Sequence, residues 1–194
     1  MIVCKFGGSS VADSIQIKKV KAILESNNKR SLVVVSAPGK RNSKDEKITD
    51  LLYKCASLTE EGLSFKSEFD KIRDRYFEIA TSLGLETSSL SKALEEIRVN
   101  IENRRGSRYA ASRGEYLSAL LISEYLGFKF LDPEGVIIIG EDNKIEDITY
   151  TTLKNKIKKG EKYVIPGFYG TSLNGEITTF SRGGSDITGA IVAK

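Results

Sequence analysis

The hexapeptide Ser31-Leu32-Val33-Val34-Val35-Ser36 restricts the fold more than any other stretch of the chain. It is uncharged and rich in β-branched residues, so it reads as a buried strand of the kind found in parallel sheets. Ile2 to Phe6, an apolar run closed by Gly7-Gly8, reads as an earlier buried strand that ends in a tight loop. Between them Ile17, Val20, Ile23 and Leu24 recur at helical spacing and predict a helix over 13–26. Strand, helix and strand in that order predict an α/β fold with a parallel sheet. At 194 residues, 40% of them hydrophobic, the chain can bury a core of its own and fits one domain, at most a domain and a half.

After a polar stretch at 37–47, read as a mobile surface loop, residues 48–126 are predicted helical almost throughout. Four apolar stripes mark four helices: Ile48 to Leu58, Phe65 to Ile79, Leu90 to Ile101, and Tyr116 to Leu126. Gly62, Gly84, Arg105-Gly106 and Gly127 punctuate them. Strand signals return at 128–131, 136–139 and 163–165, with a weaker helix at 148–159 that carries a lysine-rich face. Asn174-Gly175 is a hairpin turn signal, and a last helix opens near residue 186.

The chain has no histidine, which excludes a Ser-His-Asp triad, an imidazole base and a His-ligated zinc. Any catalysis must rest on Lys, Arg, carboxylates, hydroxyls and backbone N–H groups, with or without a hard metal ion. Two cysteines, Cys4 and Cys55, rule out a disulfide scaffold and point to a reducing cytoplasm. A net charge of +4, with no aromatics interleaved among the basic clusters, argues against a nucleic-acid partner. No apolar run approaches the roughly 20 residues of a membrane span, and the first residues do not resemble a signal peptide.

Four constellations carry candidate chemistry. Lys5-Phe6-Gly7-Gly8-Ser9-Ser10 lies between a strand end and a helix. Its glycines leave backbone N–H groups open to a phosphate, and Lys5 offers an ammonium to a transferring phosphoryl group. It is neither a Walker loop nor a dinucleotide fingerprint, and Gly-Gly after a strand is often only a turn. In Thr179-Phe180-Ser181-Arg182-Gly183-Gly184-Ser185-Asp186, Arg182 supplies a fork for a carboxylate or phosphate, and the bland role of Asp186 is a helix N-cap. In Ser112-Arg113-Gly114-Glu115, Glu115 is either a solvated charge, the favoured local reading, or a partner for a substrate ammonium. Ser36 and Thr49 offer hydroxyls to a small polar ligand, with N-capping the alternative for Thr49. Arg104, Arg105 and Arg108 read as a helix end whose cations complement the dipole.

Lys5-Phe6-Gly7-Gly8-Ser9-Ser10-Val11 resembles the opening motif of the aspartate kinases (aspartokinases), in the amino-acid kinase superfamily. Ser36-Ala37-Pro38-Gly39-Lys40-Arg41 with Ile48-Thr49-Asp50-Leu51-Leu52 is similar to that family's second block, and Ser112-Arg113-Gly114-Glu115 to its third. Gly167-Phe168 and the segment 179–186 are similar to its fourth. The resemblance implies a three-layer αβα sandwich with a mainly parallel central sheet. It implies that Lys5 stabilises the phosphoryl group in flight, that Gly7, Gly8 and Ser9 line the phosphates, and that Asp186 organises the catalytic centre. Arg182 would hold the α-carboxylate of L-aspartate and Glu115 its α-ammonium, with Ser36, Thr49, Phe168 and Ser185 lining the pocket. The implied reaction turns aspartate and MgATP into 4-phosphoaspartate and ADP, the entry to lysine, threonine and methionine synthesis.

Family members are considerably longer than 194 residues. The resemblance therefore implies that residues 1–194 are the N-terminal, amino-acid-binding part of a catalytic domain. The nucleotide-binding part and the ACT regulatory domains are then absent, the sheet is incomplete at its C-terminal side, and the chain alone has little kinase activity. ATP with Mg2+ is the expected cofactor of the full enzyme, no protein metal site is expected, and a homo-oligomer is. Two alternatives stand beside this: another carboxylate kinase of the same superfamily, and a non-catalytic amino-acid-binding or kinase-pairing module.

Overall fold

The computed structural model describes residues 1–181 and 183–194, with the backbone but not the side chain of Asp142. Strand β1 (Ile2–Phe6) passes through a 3₁₀ turn at Gly8–Val11 into α1 (Ser14–Glu25), and β2 (Arg30–Val35) follows. Four helices come next: α2 (Ile48–Glu60), α3 (Lys66–Ser82), α4 (Ser88–Glu102) and α5 (Ser107–Leu126). Then come β3 (Lys129–Phe130), β4 (Ile138–Ile139), α6 (Ile148–Lys156), β5 (Tyr163–Pro166), β6 (Tyr169–Ser172), β7 (Ile177–Thr179) and α7 (Gly184–Ala193). Asp13 starts α1 by accepting the Gln16 N–H on its Oδ1 at 2.9 Å, which satisfies a donor the first turn leaves open.

Among the described residues the strands form two sheets. The larger is parallel throughout, in the order β1-β2-β5-β3, with Phe6 opposite Val35 and Val35 opposite Pro166. The smaller has the order β4-β6-β7, with β4 parallel and β7 antiparallel to β6. Successive side chains of a strand point to opposite faces. Val33, Val35 and Val164 therefore enter one core, shared with α1 to α5. Leu32, Val34, Tyr163 and Ile165 enter a second, with Leu153 of α6 and Ile191 and Val192 of α7. Helices cover both faces of the parallel sheet, as the hexapeptide at 31–36 demands.

The differences from the sequence-based expectation have local causes. The strand expected at 136–139 shrinks to Ile138–Ile139, because the N–H groups of Val136 and Ile137 both turn back to the Pro133 carbonyl. The helix expected to 159 ends at Lys156, where Ile157 is already extended. β6, Tyr169-Gly170-Thr171-Ser172, has no apolar run to announce it and owes its form to pairing on both sides. Arg104 and Arg105 lie beyond the end of α4, and Arg108 sits in the first turn of α5, so the three do not crown one helix C-terminus.

The segment 37–47 is pinned rather than free. The buried Arg75 of α3 donates from Nη1 to the carbonyls of Ala12 at 3.0 Å and Gly39 at 3.4 Å, and its Nη2 pairs with Asp45. Arg41 holds the same Asp45 through its Nε at 3.1 Å and reaches Glu78 at 2.7 Å. Desolvation opposes ionisation of Asp45, but hydrogen bonds from Arg41 and Arg75 outweigh it and hold the carboxyl well below the usual range.

Candidate active site

Open α/β sheets carry their ligands outside the carboxyl ends of the strands. Here three segments cross that edge, after β1, β2 and β5, and they are laced together by backbone. The Ser36 N–H donates to Phe6 O at 3.1 Å, the Gly39 N–H to Gly8 O at 2.9 Å, and the Gly167 N–H to Val35 O at 2.9 Å. Glycine is required where these segments touch. A Cβ on Gly39 would stand 2.9 Å from the Gly8 carbonyl carbon, and one on Gly167 would stand 2.6 Å from Ser185 Cβ.

Lys5 carries its ammonium from inside β1 to this edge, where Nζ pairs with Asp186 Oδ1 at 2.9 Å. Gly7 lies beside it, since a Cβ there would be 3.6 Å from Nζ. Asp186 belongs to the first turn of α7 but does not cap it: Gly183 is the N-cap, and the Asp186 carboxylate faces Lys5 and solvent. Ser9 is exposed in the 3₁₀ turn. Ser36 Oγ donates to Ser185 Oγ at 2.9 Å, joining the end of β2 to the start of α7. Phe168 has φ 78°, in the left-handed region, at a cost of about 1–3 kcal/mol. Two bonds hold it there: its N–H donates to Thr188 Oγ1 at 3.1 Å, and its carbonyl accepts the Phe180 N–H at 2.9 Å. Gly184 makes room for the ring, as a Cβ there would lie 2.7 Å from Phe168 Cδ2.

Glu115 overturns the solvated reading. It sits in α5 under the segment after β2, 5% exposed. Its carboxyl accepts the Ala37 N–H, while Oε2 has no partner. Burial pushes the carboxyl up to about 8. Gly114 allows this approach, because a Cβ there would meet Ala37 Cβ at 2.7 Å and Ile48 Cγ2 at 3.3 Å. Ile48 opens α2, and half-buried Thr49 follows it within the first turn; the N-cap is Lys47, so Thr49 does not serve as one. Arg182 lies outside the described residues.

The edge therefore brings together Lys5, Gly7, Gly8, Ser36, Phe168, Ser185 and Asp186, with Glu115 buried below the Ser36 segment. It offers an ammonium and unblocked backbone to an anion, and an unsatisfied carboxyl to a donor. Sequence reasoning missed Arg75 and Asp45, which tie the loops after β1 and β2 together; Asp45 falls in the stretch read as a surface loop, and Arg75 stands in none of the motifs. It also missed Tyr76, whose hydroxyl donates to the Gly114 carbonyl at 2.6 Å and which looked like an ordinary member of a core stripe. The largest cavity described, about 810 Å³ between the α2–α3 connection and α4, shares none of these residues. Its mixed, open lining belongs to a surface groove, so the convergent groups at the sheet edge identify the site better than volume does.

Comparison with known proteins gives a consistent picture. The sequence profile of the amino acid kinase family matches residues 1–194. The chain is similar to aspartokinase 3 of Bacillus subtilis, 35% identical over 207 residues that cover 100% of this chain and 46% of that protein. Its structure is similar to that of the aspartate kinase of Clostridium acetobutylicum, with a TM-score of 0.95 and 47% identity, covering 100% of this chain and 44% of the other. It is also similar to E. coli aspartokinase III in complex with aspartate and ADP, with a TM-score of 0.84 and 28% identity, covering 100% and 46%. The chain spans less than half the length of these relatives.

Proposed function

The chain belongs to the amino acid kinase family, and from that premise we propose that residues 1–194 form the amino-acid-binding part of an aspartate kinase catalytic domain. The reaction proposed for the whole protein transfers the γ-phosphoryl group of ATP to the side-chain carboxylate of L-aspartate. The observation that carries the reading is the meeting of Lys5 with the start of α7 at 2.9 Å, beside the Gly7-Gly8 turn. The similarity to a structure holding aspartate and ADP supports aspartate and a nucleotide as ligands.

The chemistry suits a chain without histidine. An aspartate side chain, with an ordinary pKa of about 3.9, is already an anion at neutral pH and needs no general base. A carboxylate oxygen attacks the γ-phosphorus, the bond to the bridging oxygen breaks, and ADP leaves with that electron pair. Catalysis then reduces to alignment and charge stabilisation. Lys5 moves its ammonium from Asp186 to the phosphoryl oxygens, while Gly7, Gly8 and Ser9 present backbone N–H groups to the phosphates. Glu115 takes the substrate ammonium on its open oxygen, Arg182 takes the α-carboxylate, and Ser36, Thr49, Phe168 and Ser185 shape the pocket. Mg2+, when bound to the phosphates, neutralises their charge. Asp186, whose Oδ1 stands 2.9 Å from Lys5 Nζ, is the carboxylate of this chain that would help to hold such an ion. A homo-oligomer in the cytoplasm completes the proposal.

Calorimetric titration tests it. L-Aspartate should bind and glutamate, N-acetylglutamate and UMP should not; preference for one of those three overturns the substrate. In a protein that also carries the region its relatives have beyond the matched part, hydroxylamine should trap ATP-dependent aspartyl phosphate. Lys5→Met should cut that trapping by about 10²–10³. Binding without any trapping would favour a non-catalytic amino-acid-binding module.

A further inference from the structure

We propose that a cavity walled by α4, α5 and the segment after β3 is a second ligand site, taking a small zwitterion with one carboxylate and one ammonium group. It shares no residue with the aspartate pocket and stands independently of the kinase reading. Its centre is Arg113, two positions before Glu115 and thus turned to a different face of α5. Arg113 is 4% exposed. Its guanidinium carbon lies 4.8 Å from the ring centres of Tyr109 and Tyr116 and 4.9 Å from that of Tyr169. Such a cage stabilises the charge without neutralising it. Nε donates to Ser112 Oγ at 3.0 Å, but buried Nη2 has no acceptor. A buried, charged donor without a partner calls for one.

The cavity beside it measures about 200 Å³ and is lined by Arg105 and Arg113 together with Glu96, Asp132 and Glu134. Arg105 stacks on Tyr109 at 4.4 Å. Elsewhere on α4, Arg98 pairs with both Glu95 and Glu102. Among the described residues, however, the two guanidiniums and three carboxylates of the cavity form no ion pair with each other. Asp132 instead accepts the Tyr169 hydroxyl at 2.8 Å and the Glu134 N–H at 2.9 Å. A lone anion would face three carboxylates, and a lone cation two guanidiniums. A molecule carrying both charges satisfies both walls, its carboxylate on the arginine forks and its ammonium toward the acids. At roughly 30 Å³ per water, the space holds about six or seven waters, room for a ligand of a comparable number of heavy atoms.

The chain as it stands can be titrated with glycine, β-alanine and γ-aminobutyrate, with acetate and methylammonium as single-charge controls. Arginine Nε–H signals in ¹⁵N NMR and tyrosine emission, which no tryptophan masks, read the site directly. At least one zwitterion should bind saturably, and more than about tenfold tighter than either control. Arg105→Ala, at an exposed position, should weaken binding about tenfold. Arg113→Lys should abolish it, and Glu115→Gln should leave it unchanged. Absence of saturable binding at millimolar zwitterion, equal binding of acetate, or indifference to Arg105→Ala overturns the proposal. Loss of binding in Glu115→Gln also overturns it, by placing the ligand in the aspartate pocket. If Arg113→Lys fails to fold, Arg105→Ala decides alone.

Discussion

Glu115 sits where a carboxylate is hardest to keep charged, and its elevated pKa, about 8, has two consequences. The folded state keeps a proton that the unfolded chain gives up near 4.5. Unfolding therefore releases it, and stability falls as pH rises from about 4.5 to 8, by at most ~1.4 kcal/mol per unit. Thermal melts of the ligand-free chain should show that slope, and Glu115→Gln should flatten it. Binding a ligand ammonium needs the ionised form. Aspartate affinity should accordingly rise about tenfold per pH unit up to about 8, with release of one proton, and calorimetry in buffers of different ionisation enthalpy reads that proton. None of this was legible in Ser112-Arg113-Gly114-Glu115 itself, because what buries the carboxyl is Ala37, far away in sequence. Lys5, Gly7 and Gly8 were legible because neighbours in sequence are neighbours in the turn.

At the scale of elements, α5 is the member against which the site is assembled. Ala110, Ala111, Ser112, Gly114, Ser118 and Ala119 are all buried, and small residues let α2, α4 and the sheet come close around it. Gly114→Ala gains about 1 kcal/mol of helix propensity but drives a methyl into Ala37, an overpacking that costs about 1–3 kcal/mol. Urea melts should show a net loss, and aspartate affinity should fall with it. The clamp from α3 makes a separate prediction. Asp45→Asn removes the charge that Arg75 and Arg41 share, and should cost about 1–3 kcal/mol at neutral pH. Hydrogen exchange at the Gly39 amide should speed up with it. Because the Asp45 carboxyl is held low, its contribution is present above the ordinary carboxylate range and is lost as pH falls below it. Strand β2 and helix α1 were readable because burial and period repeat within a few residues. β6 and the pinned loop were not, because each owes its form to partners elsewhere in the chain.

For the molecule as a whole, the two cores on either side of the parallel sheet explain why the alternation of strand and helix signals was enough to indicate an α/β fold with a parallel sheet, whereas the smaller sheet β4-β6-β7 was not legible in it. The site is a different matter, since it draws on β1, β2, β5, α5 and α7 at once. A ligand seated there ties the first strand to the last helix. At about 100 times its Kd, aspartate should stabilise the chain by ~2.7 kcal/mol, a rise of roughly 5–10 °C in Tm. Glu115→Gln should lose that rise while keeping the fold.

The contact between Lys5 and Asp186 also sets a schedule. A ribosome makes about 5–20 residues per second, so the lysine emerges and then waits on the order of 10–40 s for its carboxylate. Nascent chains arrested before α7 should hold a finished helical layer and no affinity for aspartate. On the reading proposed above, the capacity to bind is therefore acquired only when the last helix of this segment has been made.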